Sequence, residues 1–125
     1  MTVFPSMISF EDVKQCRAMM NTQTVRRYQR EKLAYWQRIG ITAKSISKFD
    51  SWLAEDMRAR SKRILAVKRA LQAIPDTSAK EILTRRYISG NSLLSIAVDL
   101  GIDRCTAYRI EQRAKELYFA PETPL

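Results

Sequence analysis

The chain has 125 residues, of which 46% are hydrophobic and 28% are charged. This composition suits one ordinary folded domain, or two small ones that share a core, and it excludes disorder throughout the chain. The net charge of +9 indicates a polyanionic partner, and nucleic acid is the commonest of these.

Histidine is absent, and the two cysteines, Cys16 and Cys105, stand far apart in the sequence. Structural zinc needs three or four Cys or His ligands, so we expect no metal site, and we expect no cofactor. No nucleophile, base and orienting group form a recognisable set, so we do not expect an enzyme. No apolar run approaches the roughly 20 residues of a membrane span, and we expect a cytoplasmic protein.

The first half of the chain predicts a long helix after a short arm at residues 1–7. Ser9 and Asp12 resemble a capping box, which places the start of the helix near Phe10. Gly40 is predicted to end it, and a bend at residues 21–24 stays open. The apolar residues predicted to share one face are Val13, Cys16, Met20, Tyr28, Tyr35 and Ile39.

A second long helix is predicted from about Ala43 to Ile74, where Pro75 and Asp76 follow. Its seam of heptad positions is mostly apolar, with Asp50 and Arg60 as departures that would set the register. A coiled coil, a helical hairpin and an amphipathic helix within one domain all fit this pattern. The seam residues are Ile46, Asp50, Leu53, Met57, Arg60, Ile64, Val67, Leu71 and Ile74.

Positive charge is concentrated in this half. Residues 1–74 contain fifteen Lys and Arg against six Asp and Glu, whereas residues 75–125 contain seven of each. The long helices either lie against a phosphate backbone or present a solvated charged face.

The C-terminal part predicts three short helices. The first spans roughly Ala79 to Ser89, with Thr77 or Ser78 as its cap and Glu81 completing a capping box. Asn91 or Ser92 caps the second, which runs to Leu100 and stops at Gly101. The third opens at Asp103 or Arg104. Two short helices joined by a tight glycine turn describe a DNA-reading helix-turn-helix.

Segment 79–117 resembles the C-terminal promoter-binding region 4 of bacterial sigma factors. The matching residues are Ile82, Leu83, Arg86, Tyr87, Gly90, Ser92, Leu93, Ile96, Ala97, Leu100, Gly101, Ile102, Arg104, Thr106, Tyr108, Arg109 and Ile110. A sigma-like head after a basic helical half, in so short a chain, is similar to phage late transcription regulators of the ArpU and RinA type. That resemblance implies promoter binding, activation of late or packaging genes, and the cytoplasm of a bacterial host.

The fold expected is all-α, with two long N-terminal helices as a hairpin or coiled coil before the helix-turn-helix head. The expected divisions are a basic oligomerisation region at 1–74, a DNA-binding domain at 75–120 and a tail at 121–125. A dimer through the long helices would place two DNA half-sites about 34 Å apart, or a multiple of that.

Two sets of residues are expected to contact double-stranded DNA. Base edges would be read by Arg104, Cys105, Thr106, Tyr108 and Arg109. Phosphates would be bound by Arg86, Ser92, Gln112 and Arg113. Other interpretations stay open: Tyr108 packs on the scaffold, Arg113 pairs with Glu111 or Glu116, and Asp103 is an N-cap.

Two further functions compete with gene regulation. The head would bind RNA polymerase or another regulator instead of DNA, as a protein-interaction module. Alternatively, the chain is a small terminase subunit, because those packaging proteins also join a helix-turn-helix to an oligomerising helical part.

Overall fold

The computed structural model describes residues 7–40 and 44–120, with the backbone alone at residues 44 and 45. Within these ranges the chain is all-α and has no strand, which confirms the predicted class. The helices are α1 (Phe10–Arg38), α2 (Lys44–Gln72), α3 (Thr77–Tyr87), α4 (Leu93–Leu100) and α5 (Arg104–Tyr118). The predicted arm up to residue 6, the connection at 41–42, the helix start at 43 and the tail lie outside the described residues.

The start of α1 is fixed by the predicted capping box. The Asp12 backbone N–H donates to the Ser9 hydroxyl at 3.2 Å, and the Ser9 N–H donates to the Asp12 carboxylate at 3.3 Å. Two donors that the first turn leaves without helical partners are thereby satisfied. The helix then continues without a break through residues 21–24 and ends before Gly40, whose φ of +91° favours glycine.

The cap of α3 differs from the prediction. Asp76 is the N-cap residue, and its carboxylate accepts from the N–H groups of Ser78 at 3.0 Å and Ala79 at 3.3 Å. The helix therefore begins two residues earlier than expected, and Thr77 and Ser78 lie in its first turn. Glu81 completes no capping box, because its carboxylate pairs with Arg85 one turn further on, at 2.9 Å.

The chain divides into two compact units. The terminal unit comprises Met1–Arg17 and Leu65–Leu125, and the central unit comprises Ala18–Ile64. Both α1 and α2 therefore contribute residues to each unit.

The core of the terminal unit joins the beginning of α1 to the chain after α5. Phe10 is buried and packs edge-on against Tyr87 and Phe119, with ring centroids 5.4 and 5.6 Å apart. The Ala120 N–H donates to the Ile8 carbonyl at 3.0 Å. Such aromatic pairs contribute about 0.5–1.5 kcal/mol beyond the burial of their area. Other buried members of this core are Val13, Cys16, Val67, Leu71, Ile74, Ile82 and Leu83.

The central unit holds α1 against α2 with polar contacts around a small apolar core. The Arg30 guanidinium donates to Asp50 at 2.9 Å, and Arg26 donates to Asp56 at 3.2 Å. Leu33 and Leu53 are buried residues of the same unit.

The prediction of one apolar face along α1 is wrong for the second half of the helix. Tyr28, Tyr35 and Ile39 are 52–57% exposed, whereas Leu33 is buried. The side of α1 that faces α2 carries arginines, which are paired with aspartates of α2. A helix whose polar residues are matched by its neighbour does not need an apolar stripe at that contact.

Replacing Phe10 by Ala should lower the free energy of unfolding by about 3–5 kcal/mol, because it opens a cavity between α3 and the chain after α5. Urea titration followed by circular dichroism measures the change. The matched control is Leu94→Ala, which removes an exposed side chain of the same unit and should change stability by no more than about 0.5 kcal/mol. Equal effects of the two substitutions would show that the start of α1 is not part of this core.

Candidate nucleic-acid interface

Helix α4 is short and is fixed at both ends by its caps. The Ser92 hydroxyl accepts from the Ser95 N–H at 3.1 Å, which confirms one of the two predicted caps. Gly101 ends the helix with φ of +69°, a conformation that L side chains rarely adopt. The Ile102 N–H donates back to the Ala97 carbonyl at 3.0 Å. The turn at residues 101–103 therefore has a backbone conformation that is fixed by hydrogen bonds to the end of α4.

Helix α5 packs on α3 and α4 through small and aliphatic residues. Ile82 of α3, Ile96 and Ala97 of α4 and Ala107 of α5 form one buried cluster. Alanine at both 97 and 107 lets the two helices approach closely. Partly buried members of the same cluster are Leu100, Ile102 and Ile110, as their spacing predicts. Asp103 occupies the N-cap position of α5, although its carboxylate makes no capping hydrogen bond.

A carboxylate lies inside this packing. Glu111 of α5 is 2% exposed, and its Oε2 accepts from the Arg86 guanidinium of α3 at 2.5 Å. Burial, the neighbouring Glu111 charge and a hydrogen bond to that carboxylate raise the pKa of Tyr87 to about 12, partly opposed by Arg86. A buried carboxylate is costly without a cation, so this ion pair fixes α5 against α3 in one rotation.

That rotation determines which side of α5 faces outward. The helix exposes Arg104, Cys105, Tyr108 and Arg109, and these four line one open depression together with Leu93 of α4. A second open depression is lined by Arg86, Ser92, Leu93, Leu94, Arg104 and Tyr108. Four of the five predicted base-reading residues therefore lie together, with two of the predicted phosphate-binding residues near Arg104.

The remaining predicted site residues lie elsewhere. Thr106 and Gln112 are half-buried and line neither depression. Arg113 lines a different cleft, between the start of α3 and the end of α5, with Asp76 and Tyr118. Tyr108 is 53% exposed, which disfavours the alternative that it packs on the scaffold.

The orientation of Glu111 also changes the charge of the outer surface. Residues 75–125 carry no net charge in the sequence. The Glu111 carboxylate, however, points inward and pairs with Arg86. Asp99 likewise lies 3.5 Å from Arg85. The outer face of α5 therefore carries Arg104 and Arg109 without the nearby glutamate that the sequence places among them.

Sequence reasoning missed the role of Glu111. Its position contained the signal, because Glu111 follows Ala107 by four residues and precedes Ala114 by three, on the buried stripe of α5. Of the two alternative partners for Arg113, Glu111 is disfavoured because its carboxylate binds Arg86 of another helix. Glu116 stays an open alternative.

In residues 7–40 and 44–120, no three His, Cys, Asp or Glu side chains come together as metal ligands. No helix in that part of the chain is long and apolar enough to cross a membrane. The chain matches no protein-family model, and neither a curated protein nor a solved structure matches it.

Replacing Arg86 by Met should lower the free energy of unfolding by about 3 kcal/mol, because the buried Glu111 loses its cation. The loss should not be larger, because Arg86 itself is partly exposed. The double substitution Arg86→Met with Glu111→Leu should recover most of that loss. A double-mutant cycle in urea measures the coupling between the two residues.

The matched control is Arg85→Met, which removes the neighbouring arginine and its surface ion pairs. It should cost no more than about 1 kcal/mol. If Arg86→Met costs no more than this control, the buried ion pair does not hold α5 in place.

Proposed function

We propose that the protein is a sequence-specific double-stranded DNA-binding transcription regulator, with α4 and α5 as its helix-turn-helix. One observation carries the proposal: Arg104, Cys105, Tyr108 and Arg109 line a single outer depression on a helix that is fixed from behind. A recognition helix reads bases with the early residues of its exposed face, and these residues occupy the first two turns of α5.

The side chains suit this task chemically. Arginine donates in pairs to guanine O6 and N7 in the major groove, and each such contact is worth about 1–3 kcal/mol of discrimination. Arg86 and Ser92 line the adjoining depression, where a guanidinium and a hydroxyl suit phosphate oxygens. Arg86 donates to Glu111 through Nη1. In this proposal Arg86 therefore both holds α5 in place and contacts a DNA phosphate.

The biological setting that we propose comes from the resemblance to sigma-factor region 4 and to phage regulators of the ArpU and RinA type. Three of the residues that match the sigma-like pattern, Ile82, Ile96 and Ala97, belong to one buried cluster, which supports that resemblance. The target would be a late or packaging promoter in a bacterial host, and RNA polymerase remains a proposed partner.

The ion pairs between α1 and α2 support the hairpin rather than an intermolecular coiled coil. Leu53, a seam residue, is fully buried within a single chain, which also supports the hairpin. The homodimer stays a prediction, and a dimer would need a surface other than this seam. Sedimentation of the intact chain decides the oligomeric state.

Selection of bound fragments from random DNA and from phage genomes should yield one short motif. Replacing both Arg104 and Arg109 by Ala should then abolish the preference for that motif, since each arginine contributes about 1–3 kcal/mol of discrimination. The helical circular dichroism should stay unchanged, because both side chains are exposed. Fluorescence anisotropy with the selected duplex and a scrambled duplex measures the preference.

The matched control removes the same charge elsewhere in the terminal unit, with Arg69→Ala and Lys80→Ala, and should keep the preference. Selective binding that survives loss of Arg104 and Arg109 would contradict the assignment of α5 as the reading helix. Fragments clustered at packaging sites would instead support the terminase function. Retention of RNA polymerase with no selected DNA would support the protein-interaction module.

A further inference from the structure

The central unit carries most of the charge surplus of the protein. Residues 18–64 contain eleven Lys and Arg against four Asp and Glu, which gives seven of the nine surplus positive charges. The proposed reading helix lies in the other unit, so reading of a DNA site does not account for this charge. A surface with so large a surplus attracts a polyanion.

The same unit also exposes aromatic rings. Among the described residues, six aromatic side chains are exposed, and only Tyr108 lies outside the central unit. The five in the central unit are Tyr28, Tyr35, Trp36, Phe49 and Trp52. Exposed rings that lie together on one surface, rather than singly, mark an interaction site.

Three of these residues form a strip with two cations on α1. Tyr28 and Tyr35 are seven residues apart, which places them on the same side of the helix, roughly 10 Å from each other along its axis. The Lys32 ammonium lies over the Tyr28 ring at 5.2 Å, and the Arg38 guanidinium lies over the Tyr35 ring at 6.0 Å. We call Tyr28, Lys32, Tyr35, Trp36 and Arg38 the α1 strip.

The α1 strip is not occupied by the partner helix of the unit. Arg26 and Arg30 point to Asp56 and Asp50 of α2, and Tyr28 is two residues from each of them. At 100° per residue, Tyr28 lies on the opposite side of α1. Tyr28 and Tyr35 are accordingly 57% and 52% exposed.

We propose that the α1 strip binds single-stranded nucleic acid. Rings on which bases stack, interleaved with cations that neutralise phosphates, are the combination that single-strand-binding surfaces use. A duplex offers only its phosphates to such a surface, because its base faces are stacked inside, and phosphates require cations rather than rings. A second copy of the chain would bring an equal surplus of positive charge against this one.

The test uses the full chain with Trp52→Phe, which leaves Trp36 of the strip as the sole tryptophan. Titration with oligothymidylate should quench the Trp36 emission as a base stacks beside it. Tyr28→Ala with Tyr35→Ala should weaken binding by about five- to a hundredfold for each ring removed. Lys32→Gln with Arg38→Gln should reduce the salt dependence, the slope of log K against log salt, by about 1.4.

Two matched controls should leave oligothymidylate binding unchanged. Leu94→Ala with Val98→Ala removes exposed apolar side chains of α4, and Arg69→Gln with Lys80→Gln removes two cations of the terminal unit. Binding should also survive Arg104→Ala with Arg109→Ala, so failure of the proposed duplex reading and failure of this inference are distinguishable.

Four results would overturn the inference. Oligothymidylate fails to quench Trp36, or the tyrosine variant binds it as tightly as the parent while circular dichroism shows both folded. A duplex of unrelated sequence competes as well as the single strand. Sedimentation shows that the intact chain self-associates and that the tyrosine variant is monomeric, in which case the strip contacts a second copy.

Discussion

The contact on which the outer surface of α5 depends is the ion pair between Glu111 and Arg86. A carboxylate that is 2% exposed needs its cation, so α5 has one stable rotation against α3. With Glu111 turned inward, Arg109, two residues before it, lies on the opposite side of α5. Arg104, Cys105 and Tyr108 are exposed as well. The Gly101 turn then sets the angle between α4 and α5. The buried charge pair and the apolar cluster at Ala107 together hold the inner side of α5 in place.

The two compact units divide the chemistry of the chain. The terminal unit carries a small set of arginine, cysteine and tyrosine side chains with a fixed orientation, which suits discrimination between base pairs. The central unit carries most of the surplus charge and most of the exposed rings, which suit binding without sequence preference. Duplex reading and single-strand binding therefore have separate physical sources, and substitutions in one unit should leave binding by the other unit unchanged.

Local patterns predicted the structure well where neighbours in sequence decide it. The Ser9 capping box, the Ser92 cap and the Gly101 turn are contacts between residues a few positions apart, and all are present. The α3 cap was predicted wrongly because Asp76, Thr77 and Ser78 are all good caps, and only geometry selects among them. Contacts between distant segments were missed: Arg30 of α1 pairs with Asp50 of α2, and Arg86 pairs with the buried Glu111. The pattern of residues along one helix does not show which other helix will pack against it.

We propose that the outer face of α5 enters the DNA, and alkylation of Cys105 tests this proposal. Cys105 is exposed, whereas Cys16 is buried and its burial raises the pKa of that thiol, with a smaller opposing effect of Lys68. A maleimide at neutral pH therefore reports on Cys105. A duplex carrying the selected motif should slow this reaction in proportion to the fraction of protein bound, while a scrambled duplex at the same concentration should not. Unchanged alkylation of Cys105 in a saturated complex would contradict it.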